Sequence, residues 1–113
     1  MYTLYGIKNC DTVRKARKWL EENGIDYQFH DFRTDGLNIA LLDKFTSKVD
    51  WEKLLNKRST SWKQLDNDNK TDLNEAKATA LMLETPTLIK RPVLDTGNQI
   101  LIGFKPEIYQ QLQ

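Results

Sequence analysis

Cysteine is the side chain here best suited to nucleophilic chemistry, and the sequence contains one, Cys10. It stands in Tyr5-Gly6-Ile7-Lys8-Asn9-Cys10-Asp11-Thr12, where an apolar, strand-like run gives way to an amphipathic helical pattern. The first-turn N–H groups of a helix lack partners within it and carry its positive end. A sulfur placed there is favoured as thiolate over thiol. A free thiol, with a pKa of about 8.5, is only slightly ionised at neutral pH, and making it mostly thiolate takes about 2.7 kcal/mol. A helix N-terminus supplies about 0.3–1 kcal/mol, or about 2 in partly buried geometry. More positive charge is therefore expected at Cys10, from Lys8, Arg14 or a basic residue elsewhere, because the adjacent Asp11 carboxylate opposes ionisation. The plain alternative is a buried structural cysteine, since free cysteines are among the most buried residues. Its place at a strand-to-helix junction favours the nucleophile.

The same residue count excludes other chemistries. One cysteine cannot form an internal disulfide, and Val13 occupies the fourth position of what would be a Cys-x-x-Cys redox motif. A cysteine-phosphatase loop would need an arginine where Ala16 stands. A single Cys and a single His, without paired-ligand spacing, argue against a metal site. No Gly-x-Gly-x-x-Gly or phosphate-loop pattern is present.

The elements that must position Cys10 follow from periodicity. Thr3–Tyr5 reads as a short strand. Asp11 to Asn23 has helical spacing, with Val13, Ala16, Trp19 and Leu20 on one face, and Gly24 is a suitable stop. Ile25 to Phe32 is rich in strand formers, completing a βαβ unit whose strands should be parallel. From Arg33 to roughly Glu84 the period is helical. Ile39, Leu41, Leu42 and Phe45 mark one helix, Trp51, Leu54 and Leu55 a shorter one, and Trp62 with Leu65 another turn or two. A longer helix is expected over Thr71–Leu83, with Leu73, Ala76, Ala80 and Leu83 inward. Thr71 or Asp72 would cap it, with Glu75 in a capping box. Val93–Leu94 and Ile100–Ile102 flank the turn sequence Asp95-Thr96-Gly97-Asn98, a hairpin signal, and Pro106 opens a last helix with Ile108, Tyr109 and Leu112.

This order, a βαβ half and a ββα half separated by helices, is that of a thioredoxin-like α/β fold. A single domain is expected, with a mixed-sheet core at about 1–33 and 86–113 and a helical insertion at about 34–85. In that fold the redox position opens the first helix, where Cys10 falls. Composition fits a soluble globular chain of 113 residues, 39% hydrophobic and 29% charged. Seventeen basic against sixteen acidic residues give a net charge of +1, so nothing global points to nucleic acid or an anionic membrane. The opening Met-Tyr-Thr-Leu runs directly into the first strand without a signal-like segment, and the cytoplasm is the expected location.

Several segments, in order along the chain, resemble one family. Leu4-Tyr5-Gly6-Ile7-Lys8-Asn9-Cys10-Asp11-Thr12-Val13-Arg14-Lys15-Ala16 is similar to the signature of the arsenate reductase (ArsC)/Spx family, in particular its small YffB-like branch. Leu54-Leu55-Asn56-Lys57-Arg58-Ser59-Thr60 resembles its central segment. Leu88-Ile89-Lys90-Arg91-Pro92-Val93-Leu94 and Leu101-Ile102-Gly103-Phe104-Lys105-Pro106-Glu107 resemble its C-terminal strands. The resemblance implies a thioredoxin-like core and Cys10 as nucleophile. It further implies an oxyanion- and thiolate-stabilising trio at Arg58, Arg91 and Lys105, the last replacing a family arginine, and Pro92 at the cis-proline position. Lys8, Asn9, Thr12 and Arg14 would support the cysteine. Three positions depart from the pattern: Gly6 stands where arsenate-reducing members carry histidine, Asp11 where they carry glycine, and Val13 where Spx-type regulators carry a second cysteine.

Read without the family, Arg58 and Arg91 are solvated or ion-paired side chains. Arg14, Lys15, Arg17 and Lys18 form a solvated helix face, His30 is a structural histidine, and Trp19, Trp51 and Trp62 are core aromatics. The leading expectation is a glutathione-dependent thiol or oxyanion reductase with no tightly bound cofactor. Cys10 attacks an oxidised substrate or disulfide, and glutathione resolves the intermediate because no second cysteine exists. The alternative is an Spx-like regulator that binds RNA polymerase without turnover.

Overall fold

The computed structural model describes residues 1–112. Along the chain run β1 (Tyr2–Gly6), α1 (Asp11–Glu22), β2 (Tyr27–Asp31), α2 (Ile39–Thr46), α3 (Trp51–Leu54), α4 (Thr60–Lys63), α5 (Asn67–Lys70), α6 (Glu75–Glu84), β3 (Val93–Asp95), β4 (Ile100–Ile102) and α7 (Pro106–Tyr109). Short 3-10 turns cover Pro86–Leu88 and Gln110–Leu112. No described helix is long and apolar enough to cross a membrane. The elements fall into two compact units, one of residues 1–36 with the segment from Arg91 onward, the other Leu37–Lys90.

The first unit is a mixed four-stranded sheet, ordered β2-β1-β3-β4, in the thioredoxin-like arrangement. β1 pairs parallel with β2, Gly6 lying opposite Asp31, and antiparallel with β3, Tyr5 lying opposite Val93. β3 and β4 form the hairpin, with Val93 opposite Ile102. Its turn is held by the Gly97 N–H donating to Asp95 Oδ1 at 2.8 Å and the Thr96 N–H to Gln99 O at 3.0 Å, with Gly97 at φ +94°. α1 buries Val13, Ala16 and Leu20, the one-sided spacing of an amphipathic helix. Leu4, Ala16, Leu20, Leu94, Leu101 and Tyr109 make a core cluster with half-buried Trp19 and Phe104 packed against it. Full burial of each large aliphatic side chain contributes about 1.5–3 kcal/mol. Chain reversal after α1 uses Gly24 at φ +67°, a left-handed conformation costly for other residues.

The second unit is helical. Asn38, Ser59, Asp66 and Asn74 cap α2, α4, α5 and α6, each side chain accepting the N–H three residues on, so short helices are started by local hydrogen bonds. An antiparallel bridge, Leu55 opposite Ile89, ties the end of α3 to the segment after α6; Lys90 N–H donates to Leu54 O at 2.8 Å and Asn56 N–H to Leu88 O at 2.7 Å. That bridge explains why Pro86–Lys90 belongs to this unit, where sequence periodicity assigned the chain from 86 to the core.

Other expectations change here. The helix expected over Thr71–Leu83 starts at Glu75, after Asp72 takes φ +54° and Asn74, not Thr71 or Asp72, provides the cap. Its buried face is Ala78, Thr79, Leu81 and Met82, whereas Ala76 and Ala80 are exposed and Leu83 is 37% exposed. Leu81, Met82 and Leu83 are consecutive and cannot all point inward. Ala78 lies three and four residues before Leu81 and Met82, so that pair shares its face. α5 is an additional turn absent from the periodicity. Ile39 opens α2 but is 58% exposed, leaving Leu42 and Phe45 as the buried residues. The three tryptophans are half-buried rather than core. Trp62 lies with Lys57 Nζ 5.7 Å and Lys70 Nζ 5.5 Å from its ring, which protonated amines favour.

Candidate functional site

Strand direction decides which residues share an end of the sheet. β2 is parallel to β1, β3 antiparallel to it, and β4 antiparallel to β3. The carboxyl ends of β1, β2 and β4 and the start of β3 therefore lie together. From β1 this end receives Lys8, Asn9 and Cys10, from β2 Asp31, from β3 Arg91 and Pro92, and from β4 Gly103 to Lys105. The Gly103 N–H donates to Pro92 O at 2.8 Å, fastening two of these segments.

Cys10 is the N-cap of α1, extended at φ −139° and ψ 125°, with its carbonyl accepting the Arg14 N–H at 2.9 Å. Its side chain makes no capping bond, and the residue is half-buried, not enclosed in the core. Thr12 is exposed in the first turn. The approach of β1 to α1 depends on Gly6: a Cβ built there would meet Val13 Cγ2 at 2.8 Å, inside van der Waals contact. This gives a steric reason for glycine at a position where histidine occurs in arsenate-reducing members.

Asp31 is a site residue that sequence reading missed. It is only 6% exposed, and Oδ2 accepts the Lys8 N–H at 3.0 Å while Oδ1 accepts the Arg33 N–H at 2.7 Å. Burial pushes its carboxyl up, but the N–H groups of Arg33, Lys8 and Thr34 and the charge of Arg33 outweigh this and hold it below the usual aspartate value. The one available signal was an acid between Phe29 and Phe32 in an otherwise strand-forming run. His30 beside it is half-buried, its Nε2 2.8 Å from Gly36 O and its ring 4.9 Å from that of Tyr5, a structural placement.

The basic residues divide. Arg91 is half-buried, and its Nε and Nη1 are buried without a hydrogen-bond partner among the described residues. The Arg91–Pro92 peptide bond is cis. Lys105 is exposed and makes no ion pair among the described residues; its backbone caps α7, accepting the Ile108 N–H at 3.0 Å. Arg14 bonds the Asp11 carboxylate and donates from Nη1 to Asn9 Oδ1 at 3.2 Å. Asp11, expected to act against the thiolate on its own, is thus paired. Arg17 leaves the solvated face: it lies 4.4 Å from the Phe29 ring centroid and donates from Nε to Tyr27 Oη at 3.0 Å. Arg58 lies in the helical unit, exposed after α3, its N–H held by Asn56 Oδ1 at 3.0 Å, in a groove that Lys57 and Lys90 also line. The sheet unit thus gathers Cys10, Lys8, Asn9, Thr12, Arg14, Arg91, Pro92 and Lys105 at one end, and Arg58 belongs to the other unit.

The ArsC family profile matches residues 5–112, nearly the whole chain. The chain belongs to the ArsC family. A solved YffB protein is 46% identical with a TM-score of 0.94, the match covering 98% of this chain and 97% of that one. A solution structure described as an arsenate reductase (ArsC) related protein, from Brucella melitensis, is 47% identical with a TM-score of 0.80 over 97% of this chain and 92% of its own. The global transcriptional regulator Spx of Lactiplantibacillus plantarum is 28% identical over 95% of this chain and 82% of its own. The ArsC family thus includes both reductase-related and regulatory relatives of this chain, and the thioredoxin-like arrangement is shared with the solved structures.

Proposed function

We propose that this ArsC-family protein is a glutathione-dependent thiol reductase working through Cys10 alone. The observation that carries the reading is a half-buried free cysteine at the amino end of α1, with Arg91 entering the same end of the sheet. The buried Nε and Nη1 of Arg91 have no acceptor among the described residues, and a buried unpaired donor costs about 1–3 kcal/mol. An anion, whether a carboxylate or a substrate oxyanion, relieves that cost and brings negative charge to the guanidinium. Lys105 adds a mobile point charge, and Arg58 contributes by the family resemblance.

In the mechanism, the Cys10 thiolate attacks one sulfur of a disulfide; a bond forms to Cys10 and the other sulfur leaves as thiolate. A glutathione thiolate then attacks the mixed disulfide, forming a disulfide with the captured group and returning Cys10 as thiolate. When the captured group is itself glutathione, the product is oxidised glutathione and the substrate leaves as a free thiol. An outside thiol is needed because the sequence has no second cysteine. The test is mass spectrometry after treatment with oxidised glutathione, followed by reduced glutathione. One glutathionyl adduct on Cys10, removed by the second step, supports the proposal; no adduct defeats it.

Similarity to Spx supports a second reading, contact with RNA polymerase without turnover. Co-purification with polymerase, undiminished in Cys10→Ser, would favour it.

A further inference from the structure

Arg14 is one turn into α1, and an arginine there would ordinarily extend into solvent. Instead its guanidinium is bonded to both chain neighbours of Cys10, to Asn9 Oδ1 at 3.2 Å through Nη1 and to the Asp11 carboxylate through Nη2. These two bonds anchor the guanidinium at the amino end of α1, the end that Cys10 caps. A guanidinium has five N–H donors, and these two bonds leave others free for an acceptor. Cys10 itself is half-exposed, and Asn9, Asp11 and Arg14 are all exposed, so this clasp is a feature of the rim and not of the core.

We propose that Arg14 is a specificity-determining residue of the Cys10 site, directing carboxylate-bearing thiols and disulfides to the sulfur, with Asn9 and Asp11 as the positioning residues that hold it. The inference rests on Cys10 being the nucleophile, as proposed above. It gives Asp11 a role other than opposing the thiolate: by clasping Arg14 it keeps a cation at the helix end that carries Cys10, where a free arginine would sample solvent. Anionic tripeptide thiols such as glutathione fit this chemistry, and neutral thiols gain nothing from it.

The test compares alkylation of Cys10 by iodoacetate, an anion, with alkylation by iodoacetamide, its neutral counterpart. Both reagents report the same thiolate, so the ratio of their rates isolates the charge felt by the incoming reagent. Arg14→Ala is expected to lower the iodoacetate-to-iodoacetamide ratio roughly two- to threefold at low ionic strength, and salt should erase the difference. Asn9→Ala removes no charge, yet it should lower the ratio when Arg14 is present and leave it unchanged in the Arg14→Ala background. An unchanged ratio in Arg14→Ala, or an Asn9→Ala effect that is absent or is the same in both backgrounds, overturns the inference. Failure of both reagents to label Cys10 would instead remove the nucleophile on which it rests.

Discussion

Asp31 Oδ2 accepts the Lys8 N–H at 3.0 Å, tying the end of β2 to the segment that delivers Cys10. The Phe32 N–H donates to Gly6 O at 2.9 Å alongside it, so the two parallel strands finish on a shared set of bonds. A carboxylate accepts N–H groups on both of its oxygens, here Lys8 on Oδ2 and Arg33 on Oδ1, which an amide cannot do because its NH2 would face a donor. Asp31→Asn is therefore expected to lower stability by about 1.5–3 kcal/mol, as a backbone N–H loses its charged acceptor. Urea unfolding of the variant against the natural chain measures this, and an unchanged midpoint would remove Asp31 from the loop's support.

The same carboxyl sets a pH dependence. Its folded pKa lies below its unfolded value, so the ionised form is the one folding favours. The stability it contributes is fully present above the ordinary aspartate value of about 3.9 and is lost as pH falls through the lower folded value. Asp31→Asn should flatten that acid limb. Unfolding free energies between roughly pH 2 and pH 6 compare the two slopes directly.

Gly6 and Val13 make the next prediction. With a Cβ placed 2.8 Å from Val13 Cγ2, Gly6→Ala must push β1 and α1 apart or turn the valine, at about 1–3 kcal/mol. Pairing the change with Val13→Ala, which clears the space, should recover part of the loss. Thermal unfolding of the single and double variants reads both, and full additivity would contradict the contact.

Tyr109 is completely buried, and its hydroxyl has no hydrogen-bond partner among the described residues; burial raises its pKa well above the ordinary tyrosine value. What it contributes is its ring, edge-on to Trp19 at 5.6 Å and to Phe104 at 4.8 Å. Tyr109→Phe keeps both ring contacts and removes a buried unpaired oxygen. Its unfolding midpoint should stay level or rise, by up to about 1 kcal/mol, and a marked fall would mean the hydroxyl is bonded in solution.

Arg91 bears on the proposed chemistry. Loss of a charge-assisted contact costs about 1.5–3 kcal/mol, so Arg91→Ala should slow glutathionylation of Cys10 by roughly ten- to a hundredfold. Arg58→Ala and Lys105→Ala, measured alongside, rank the trio that the family resemblance suggests. Equal rates in Arg91→Ala and the natural chain would exclude the guanidinium from the step.

Local pattern made much of this protein legible in advance. The run to Tyr5, the Val13, Ala16 and Leu20 stripe, Gly24 and the turn at Gly97 each speak through neighbours within a few residues, and each element formed where its pattern lay. The position of Cys10 at a strand-to-helix junction belongs to the same class. α6 shows where local pattern runs out, because Leu81, Met82 and Leu83 offer competing faces, and the surface the helix packs against selects among them.

Sequence alone determined the four strands, most of the helices and their order, and that one sulfur opens the first helix. These are matters of propensity, capping and periodicity, settled over a few turns of chain. Only the tertiary structure decided that Asp31 meets Lys8 from 23 positions away, that Arg91 is left with unpaired buried donors, and that Arg14 closes over the residues flanking Cys10. Such relations depend on strand register and on the rotamer a long side chain adopts among its neighbours, which spacing along the chain does not encode.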